Sequence, residues 1–283
     1  MPVIALTTPL FTDTQGLLKD LKSLMDLRAY DDDHVIEKTA RDHQISLDLL
    51  TRVVQVSPIA YNNFTHEREK AMAALEKTLA DLAAQDNCIF PGTICHLIPG
   101  WVTHVLRVLA VSARASRLGH AIRLKGYSQQ IAGQKLEQAD QRADQWVRTL
   151  KNASIWDASL YDLVLDMDDQ TANAAALIQA AVSAPPCAGR EPRAQQVADL
   201  CISAAVQLAL ARLGGGLKVS AQAGHVLVTI ERKRMNLPQT QSEILTSAKQ
   251  VPGVVSVKTR IGANYYKSQM IKAYDLPGST GRA

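Results

Sequence analysis

Short apolar strands alternate with helical segments through the first 183 residues, and this alternation constrains the fold more than any other feature. Strands are predicted at 2–8, 87–91, 105–111 and 161–166. The second and third are apolar on both faces, which is typical of strands buried in a parallel sheet. Because helices connect the strands, the sequence predicts an α/β fold over residues 1–183, with a doubly wound parallel sheet.

The loop after the first strand lacks the residues that phosphate binding requires. A strand–loop–helix opening offers backbone amides at a helix N-terminus, and phosphate loops add glycines and a Lys-Ser/Thr pair. Here the loop runs over residues 8–15, the first glycine is Gly16, and the first lysine is Lys19, inside a helix predicted over 16–27. The sequence therefore predicts the scaffold of a phosphate site without its chemistry.

A proline-rich segment separates this domain from a second one of different architecture. Residues 184–193 are predicted to be a linker. Residues 194–262 predict a small α+β domain in the order α-β-β-α-β, with a helix over 194–213, strands over 217–221 and 225–230, a helix over 241–250 and a strand over 254–261. The polar tail, 263–283, is expected to be partly disordered.

Composition narrows the function classes. The net charge of +4 is compatible with an anionic ligand, but it is too weak to indicate a nucleic-acid partner. Neither a targeting segment nor an apolar run of bilayer length is evident, so we expect a cytoplasmic protein. The four cysteines form no Cys-x-x-Cys pair, so buried free thiols are predicted rather than a zinc or redox site, and no metal site is predicted.

The region 30–166 resembles the cytidylate-kinase-like family of P-loop nucleotide kinases. The matching segments are Tyr30-Asp31, the strand 88–90 with Gly92, the run 107–114 with Arg117, and Asp140-Gln-Arg142. The resemblance implies a nucleoside monophosphate kinase that uses ATP and Mg²⁺. It departs at the phosphate loop and at Thr93, where the family often carries arginine.

The resemblance also implies site residues. Arg117 and Arg142 would act on the transferred phosphate, while Asp31, Gly92 and Arg114 would bind substrate. Nucleotide contacts would come from the phosphate-loop region, namely Thr8, Thr12, Asp13, Thr14, Gln15 and Gly16. Each group has a plainer alternative: an ordinary capped loop for the last set, a solvated helical face for the arginines, and a helix cap for the aspartate.

Residues 194–262 resemble a BON domain, through the segment 219–224 and the turn Val251-Pro-Gly-Val254 followed by Val257. That resemblance implies binding to a protein partner, a ligand or a membrane surface. The leading hypothesis is a non-catalytic pseudo-kinase that senses a nucleotide or another anion. The alternatives are an active nucleoside monophosphate kinase, and a scaffold whose BON-like domain binds protein or lipid.

Overall fold

A computed structural model of the chain describes residues 2–55, 66–170, 173–184 and 191–266. It divides into two compact units, Met1–Tyr61 with Ala74–Val197, and Asn62–Ala73 with Ala198–Ala283. This division falls within two helices, and the predicted domains, residues 1–183 and 194–262, stay a prediction. The loop predicted at 58–64 lies outside the described residues.

The first unit contains a five-stranded parallel sheet, which confirms the predicted doubly wound α/β fold. The strand order is β2-β3-β1-β4-β5, and every neighbouring pair is parallel. The elements are β1 Val3–Thr7, α1 Thr14–Leu24, β2 Arg28–Ala29, α2 Asp32–His43, α3 Leu47–Gln55, α4 Glu67–Ala83, β3 Cys88–Pro91, β4 Val105–Val111, α5 Arg114–Lys125, α6 Gln129–Lys151, β5 Leu163–Asp166, α7 Met167–Gln170 and α8 Ala174–Ser183. The two-residue β2 was not predicted.

Apolar packing covers both faces of this sheet. On one face, Ile4, Leu6 and Val108 join a core with residues of α1 and α8. On the other face, a 3-10 turn at Ile94–Leu97 contacts β1, β3 and α6. Alternate residues of β1 serve the two faces, as the period of a strand requires. The carboxyl ends of the strands are thereby left free to carry connecting loops.

Two helix boundaries differ from prediction for identifiable reasons. Helix α1 begins at Thr14 rather than 16 because Asp13 caps it. The segment 115–151, predicted as continuously helical, is two helices. It breaks at Gly126, which ends α5 with φ +66°, and Ser128 then caps α6. A left-handed glycine at a helix C-terminus is a common stop signal.

The second unit has the predicted α-β-β-α-β order. Its elements are α9 Glu191–Leu210, β6 Leu217–Gln222, β7 His225–Ile230, α10 Leu237–Lys249 and β8 Ser256–Ile261. Strands β6 and β7 are antiparallel, whereas β7 and β8 are parallel. Helix α9 begins inside the predicted linker, whose residues 185–190 lie outside the described chain. Tyr265, which was assigned to the tail, packs in the core of this unit.

One helix contradicts the expectation that the chain has no apolar run of bilayer length. Among the described residues, Arg193–Leu213 is long and apolar enough to cross a membrane by length and composition, and 39% of that window is buried. Val206 and Leu210 of this helix lie in the core of the second unit. A buried core helix passes the same test, so its length and composition are weak evidence for a membrane span.

The prediction of buried free thiols is confirmed for two cysteines. Cys88 and Cys95 are buried free thiols, whereas Cys201, which forms no disulfide, is partly exposed rather than buried. Burial raises the pKa of both Cys88 and Cys95 to about 12. These two thiols are therefore protonated at neutral pH, and thiolate chemistry is not available to them. Cys187 lies outside the described residues.

Candidate functional site

The β1–α1 loop, residues 8–13, is closed by its own side chains. The Asp13 carboxylate accepts a hydrogen bond of 2.9 Å from the Gly16 amide, which makes it the N-cap of α1. The Thr14 hydroxyl donates to Thr8 Oγ1 at 2.9 Å. An anion at a helix N-terminus is held by such amides. Here a carboxylate already occupies that position, and its negative charge opposes a phosphate.

Helix α5 holds the same loop from the side. Arg117 Nε donates to the Leu10 carbonyl at 2.8 Å, and His120 Nδ1 lies 3.1 Å from the Phe11 carbonyl oxygen. Phe11 has a φ of +62°, a conformation that non-glycine residues seldom adopt. The contacts from α5 therefore fix a loop whose backbone is locally unfavourable.

Arg117 is committed to a buried ion pair with α6. Its two terminal nitrogens reach the two carboxylate oxygens of Asp140 at 3.0 and 2.7 Å. The Arg117 side chain is only 5% exposed. Arg114 and Arg142, by contrast, are exposed, and within the described residues neither takes part in an ion pair. Of the three arginines predicted as site residues, the structure brings Arg117 to the loop, and Arg117 already has an anionic partner.

Asp31 and Gly92 contribute to a second feature at the carboxyl edge of the sheet. Asp31 caps α2 by accepting from the His34 amide at 2.9 Å. The next residue, Asp32, was considered together with Asp31 and Asp33 as part of a helix cap, and its contact with the segment after β3 was not predicted. Its carboxylate accepts from the Thr93 amide at 2.8 Å, the Thr93 hydroxyl at 3.1 Å and the Ile94 amide at 3.0 Å.

Gly92 is required by this contact. Its φ is +143°, and a Cβ at this position would lie 2.2 Å from Asp32 Oδ1. The glycine therefore allows the carboxylate to approach the backbone, and Asp32 fixes the turn that follows β3. In the sequence, this arrangement is marked only by two short pairs. Asp31-Asp32 stands at the start of a helix, and Gly92-Thr93 follows a strand.

Two histidines close to the strand ends have hydrogen-bonding roles. His96 lies 3.0 Å from Thr7 Oγ1, and His104 lies 3.3 Å from Gln196 Oε1. Both are buried rather than at the surface. Within the described part of the chain, no group of three His, Cys, Asp or Glu side chains could hold a metal ion.

Comparison with known proteins identifies the family. The model of the cytidylate kinase-like family matches residues 10–169, more than half of the chain. The chain belongs to the cytidylate kinase-like family. The match includes most of the β1–α1 loop as well as α5 and α6, and it ends before residue 198, where the longer segment of the second unit begins. The resemblance stated for the first domain is thus confirmed, whereas BON-domain membership of the second unit stays a prediction.

Two solved structures are similar to this cytidylate kinase-like chain. An uncharacterized protein from Eubacterium ventriosum ATCC 27560 is 12% identical, with a TM-score of 0.48, covering 64% of this chain and 98% of its own. TT1252 from Thermus thermophilus is also 12% identical, with a TM-score of 0.39, covering 65% and 98%. These likenesses are too distant to inform function. No curated protein matches the sequence.

The capping role of Asp13 gives a direct test with a matched pair of variants. Asp13→Ala should lower the free energy of unfolding by about 1 kcal/mol, because the Gly16 amide loses its acceptor. Asp13→Asn should leave stability nearly unchanged, because asparagine caps about as well. Urea unfolding of both variants measures the difference. Equal losses in the two variants would show that the charge, rather than the cap, is what stabilises the loop.

Proposed function

We propose that this cytidylate kinase-like protein binds a ligand without transferring phosphate, as a regulatory or sensing member of the family. The observation that carries the proposal is the Asp13 carboxylate on the first-turn amide of α1, in a loop that has no lysine. Phosphoryl transfer depends on positioning and on positive electrostatics around the phosphates. The loop supplies a negative charge where that chemistry needs a positive one.

The nearby cations do not replace the missing lysine. Lys19 and Lys22 are exposed on α1. At 1.5 Å per residue, Lys19 lies about 7.5 Å along the helix axis from Thr14, the first residue of α1. Arg117 is near the loop, but Asp140 neutralises it. The positions of these three cations support the proposal that the loop no longer stabilises the charge of a transferred phosphate.

An active kinase is the competing function, and one observation favours it. Arg117 reaches within hydrogen-bond distance of the loop at Leu10, so a rearrangement of α5 and α6 would place a guanidinium beside a bound phosphate. Such an enzyme would use Arg117 and Arg142 on the transferred phosphate, with ATP and Mg²⁺ as the donor. Turnover decides between the two functions.

We expect no transfer of phosphate from ATP to any nucleoside monophosphate, with Mg²⁺ present, when the full chain is assayed against a panel of acceptors. The physical reason is the absence of a cationic cradle at the loop. Coupled release of ADP and direct chromatography of the products measure the outcome. Turnover that disappears in Arg117→Ala and Arg142→Ala, in variants shown to be folded, would establish the kinase instead.

The same carboxylate predicts the sign of a binding change. Asp13→Asn keeps the cap but removes the charge, so it should bind Mg²⁺-free ATP more tightly than the wild-type chain does. Calorimetry of both proteins at low salt measures this, because such a charge effect is weakened by screening. An unchanged or weaker affinity in Asp13→Asn would mean that Asp13 does not oppose phosphate at this loop.

A second candidate function rests on the second unit. The outer face of its sheet exposes Lys218 of β6 together with Lys258 and Arg260 of β8. A basic face suits an anionic membrane surface, which agrees with the BON-like interpretation of this unit. Sedimentation of the full chain with anionic vesicles, compared with neutral vesicles and with the variant Lys258→Ala, tests this function.

A further inference from the structure

We propose that a cavity on one face of the parallel sheet binds a small organic acid, one that carries a hydroxyl or carbonyl group beside its carboxylate. The inference rests on the proposed binding function and names a ligand class for it. The cavity lies entirely within the first unit, and the polar side chains that line it include those of Thr7, His96, Arg107, Lys151 and Tyr161.

The shape of the cavity gives it a closed floor and an open mouth. Three of the lining residues are buried at the sheet, namely Ala5, Thr7 and Cys95. Three others, Gly100, Ser159 and Asp162, are exposed. Arg107 pairs with Ala5 in the register of β1 and β4, and Asp162 directly precedes β5. The cavity therefore lies beside the amino end of β5, and it reaches Thr7, the last residue of β1 before the β1–α1 loop.

The size of the cavity favours a ligand smaller than a nucleotide. Its volume is about 210 Å³, whereas sites for drug-sized ligands occupy roughly 300–1,000 Å³. A compact organic acid matches that volume better than a nucleoside phosphate does.

Two cationic side chains, Arg107 and Lys151, line the cavity, and the Lys151 ammonium can donate further hydrogen bonds. Its ammonium donates to the Ile98 carbonyl at 3.2 Å, which uses one of its three protons. Arg107 donates to the Pro99 carbonyl at 2.7 Å and also donates to the Val102 carbonyl. Because Arg107 is anchored in this way, its charge is fixed beside the cavity.

An exposed acid lies beside Arg107, and a buried acid acts on Lys151. Asp162 Oδ2 lies 3.9 Å from Arg107 Nη1, and its side chain is 51% exposed, so water screens it. Burial raises the pKa of Glu76, the acid that acts on Lys151, to about 7. Burial also lowers the pKa of Lys151. A desolvated cation without a full counter-ion is costly, and a bound carboxylate would offset that cost.

The remaining polar groups are neutral and suit a hydroxyl or carbonyl. Thr7 Oγ1 lies 3.0 Å from His96 Nε2, and the Tyr161 hydroxyl donates to the Ile155 carbonyl at 2.7 Å. Burial lowers the pKa of His96 to about 4, so its imidazole is uncharged at neutral pH. An uncharged imidazole both donates and accepts. The cavity thus has a cationic side and a neutral hydrogen-bonding side.

The test uses the full chain and defined probes. Lactate, pyruvate, malonate, inorganic phosphate and ATP are titrated by calorimetry, with histidine resonances followed by NMR. We expect lactate or pyruvate to bind and to shift the His96 resonance. Lys151→Met should weaken this binding about tenfold or more, as loss of a charge-assisted contact does. Lys22→Met, which removes an exposed lysine of α1, is the matched control and should bind normally.

A second variant keeps the test valid if Lys151→Met fails to fold. Ser159→Tyr places a ring at the exposed mouth without removing core contacts, and it should abolish binding. The proposal is overturned if no organic acid binds at millimolar concentration, if phosphate binds equally well, or if Ser159→Tyr binds normally. Kinase turnover together with organic-acid binding would refute the proposed function alone, whereas absent turnover without binding would refute this inference alone.

Discussion

Replacing Arg117 with methionine should lower the free energy of unfolding by about 3 kcal/mol or more, the range observed when one partner of a buried ion pair is removed. The variant leaves the Asp140 carboxylate, whose side chain is 26% exposed, without its two short hydrogen bonds. It also removes the donor to the Leu10 carbonyl. Methionine retains much of the apolar length of the side chain, so the loss reports mainly on the polar contacts.

A double-mutant cycle separates the ion pair from the other contacts of Arg117. Asp140→Asn should also destabilise the chain, and the double variant should lose clearly less than the sum of the two single losses, because the pair is lost only once. Arg142→Met is the matched control on α6. Arg142 is exposed, so its loss should lie within about 0.5 kcal/mol. Urea denaturation of the wild-type chain and of the four variants measures these losses.

The Arg117 series also bears on function. A residue that serves only to bind phosphate would be replaced with little loss of stability, since it would be unpaired in the free protein. Additive losses in the cycle, with a small effect of Arg117→Met, would contradict the structural role assigned here. That outcome would return Arg117 to the role implied by the family resemblance.

The alternation of strands and helices was sufficient to predict the parallel sheet, but the partners of its charged residues could not be predicted. Helix α6 contains three acids that could pair with the basic residues of α5 and α6, namely Glu137, Asp140 and Asp144. The structure pairs Asp140 with Arg117, while Asp144 pairs with Arg148 and accepts from the Ser154 hydroxyl. Helical spacing fixes which residues share a face, but the crossing of α5 over α6 decides which acid meets the arginine.

The cavity was missed for a related reason. Arg107 lies within an apolar strand whose boundaries were predicted correctly, and a single charge there does not interrupt the pattern of the strand. Thr7, Lys151 and Tyr161 come from segments far apart in the chain and meet only through the strand order of the sheet. A polar site that is assembled from three separate segments of the chain leaves no local motif in the sequence.

Replacing Asp32 with alanine should cost about 3 kcal/mol, whereas the same change at Asp31 should cost about 1 kcal/mol. The Asp32 carboxylate accepts from two backbone amides and one hydroxyl of the Thr93–Ile94 turn, and its loss leaves those partly buried donors unsatisfied. Asp31 only caps α2. The neighbouring residues are thus a matched pair of the same type, and thermal or urea unfolding ranks them.

The close approach of Gly92 to Asp32 adds an independent check. Gly92→Ala should destabilise the wild-type chain, both because a Cβ would lie 2.2 Å from Asp32 Oδ1 and because φ is +143°. In an Asp32→Ala background the steric part disappears and only the backbone strain remains, so the same substitution should cost less. An equal cost in both backgrounds would mean that Gly92 is required for its backbone conformation alone, and that the carboxylate does not fix the turn.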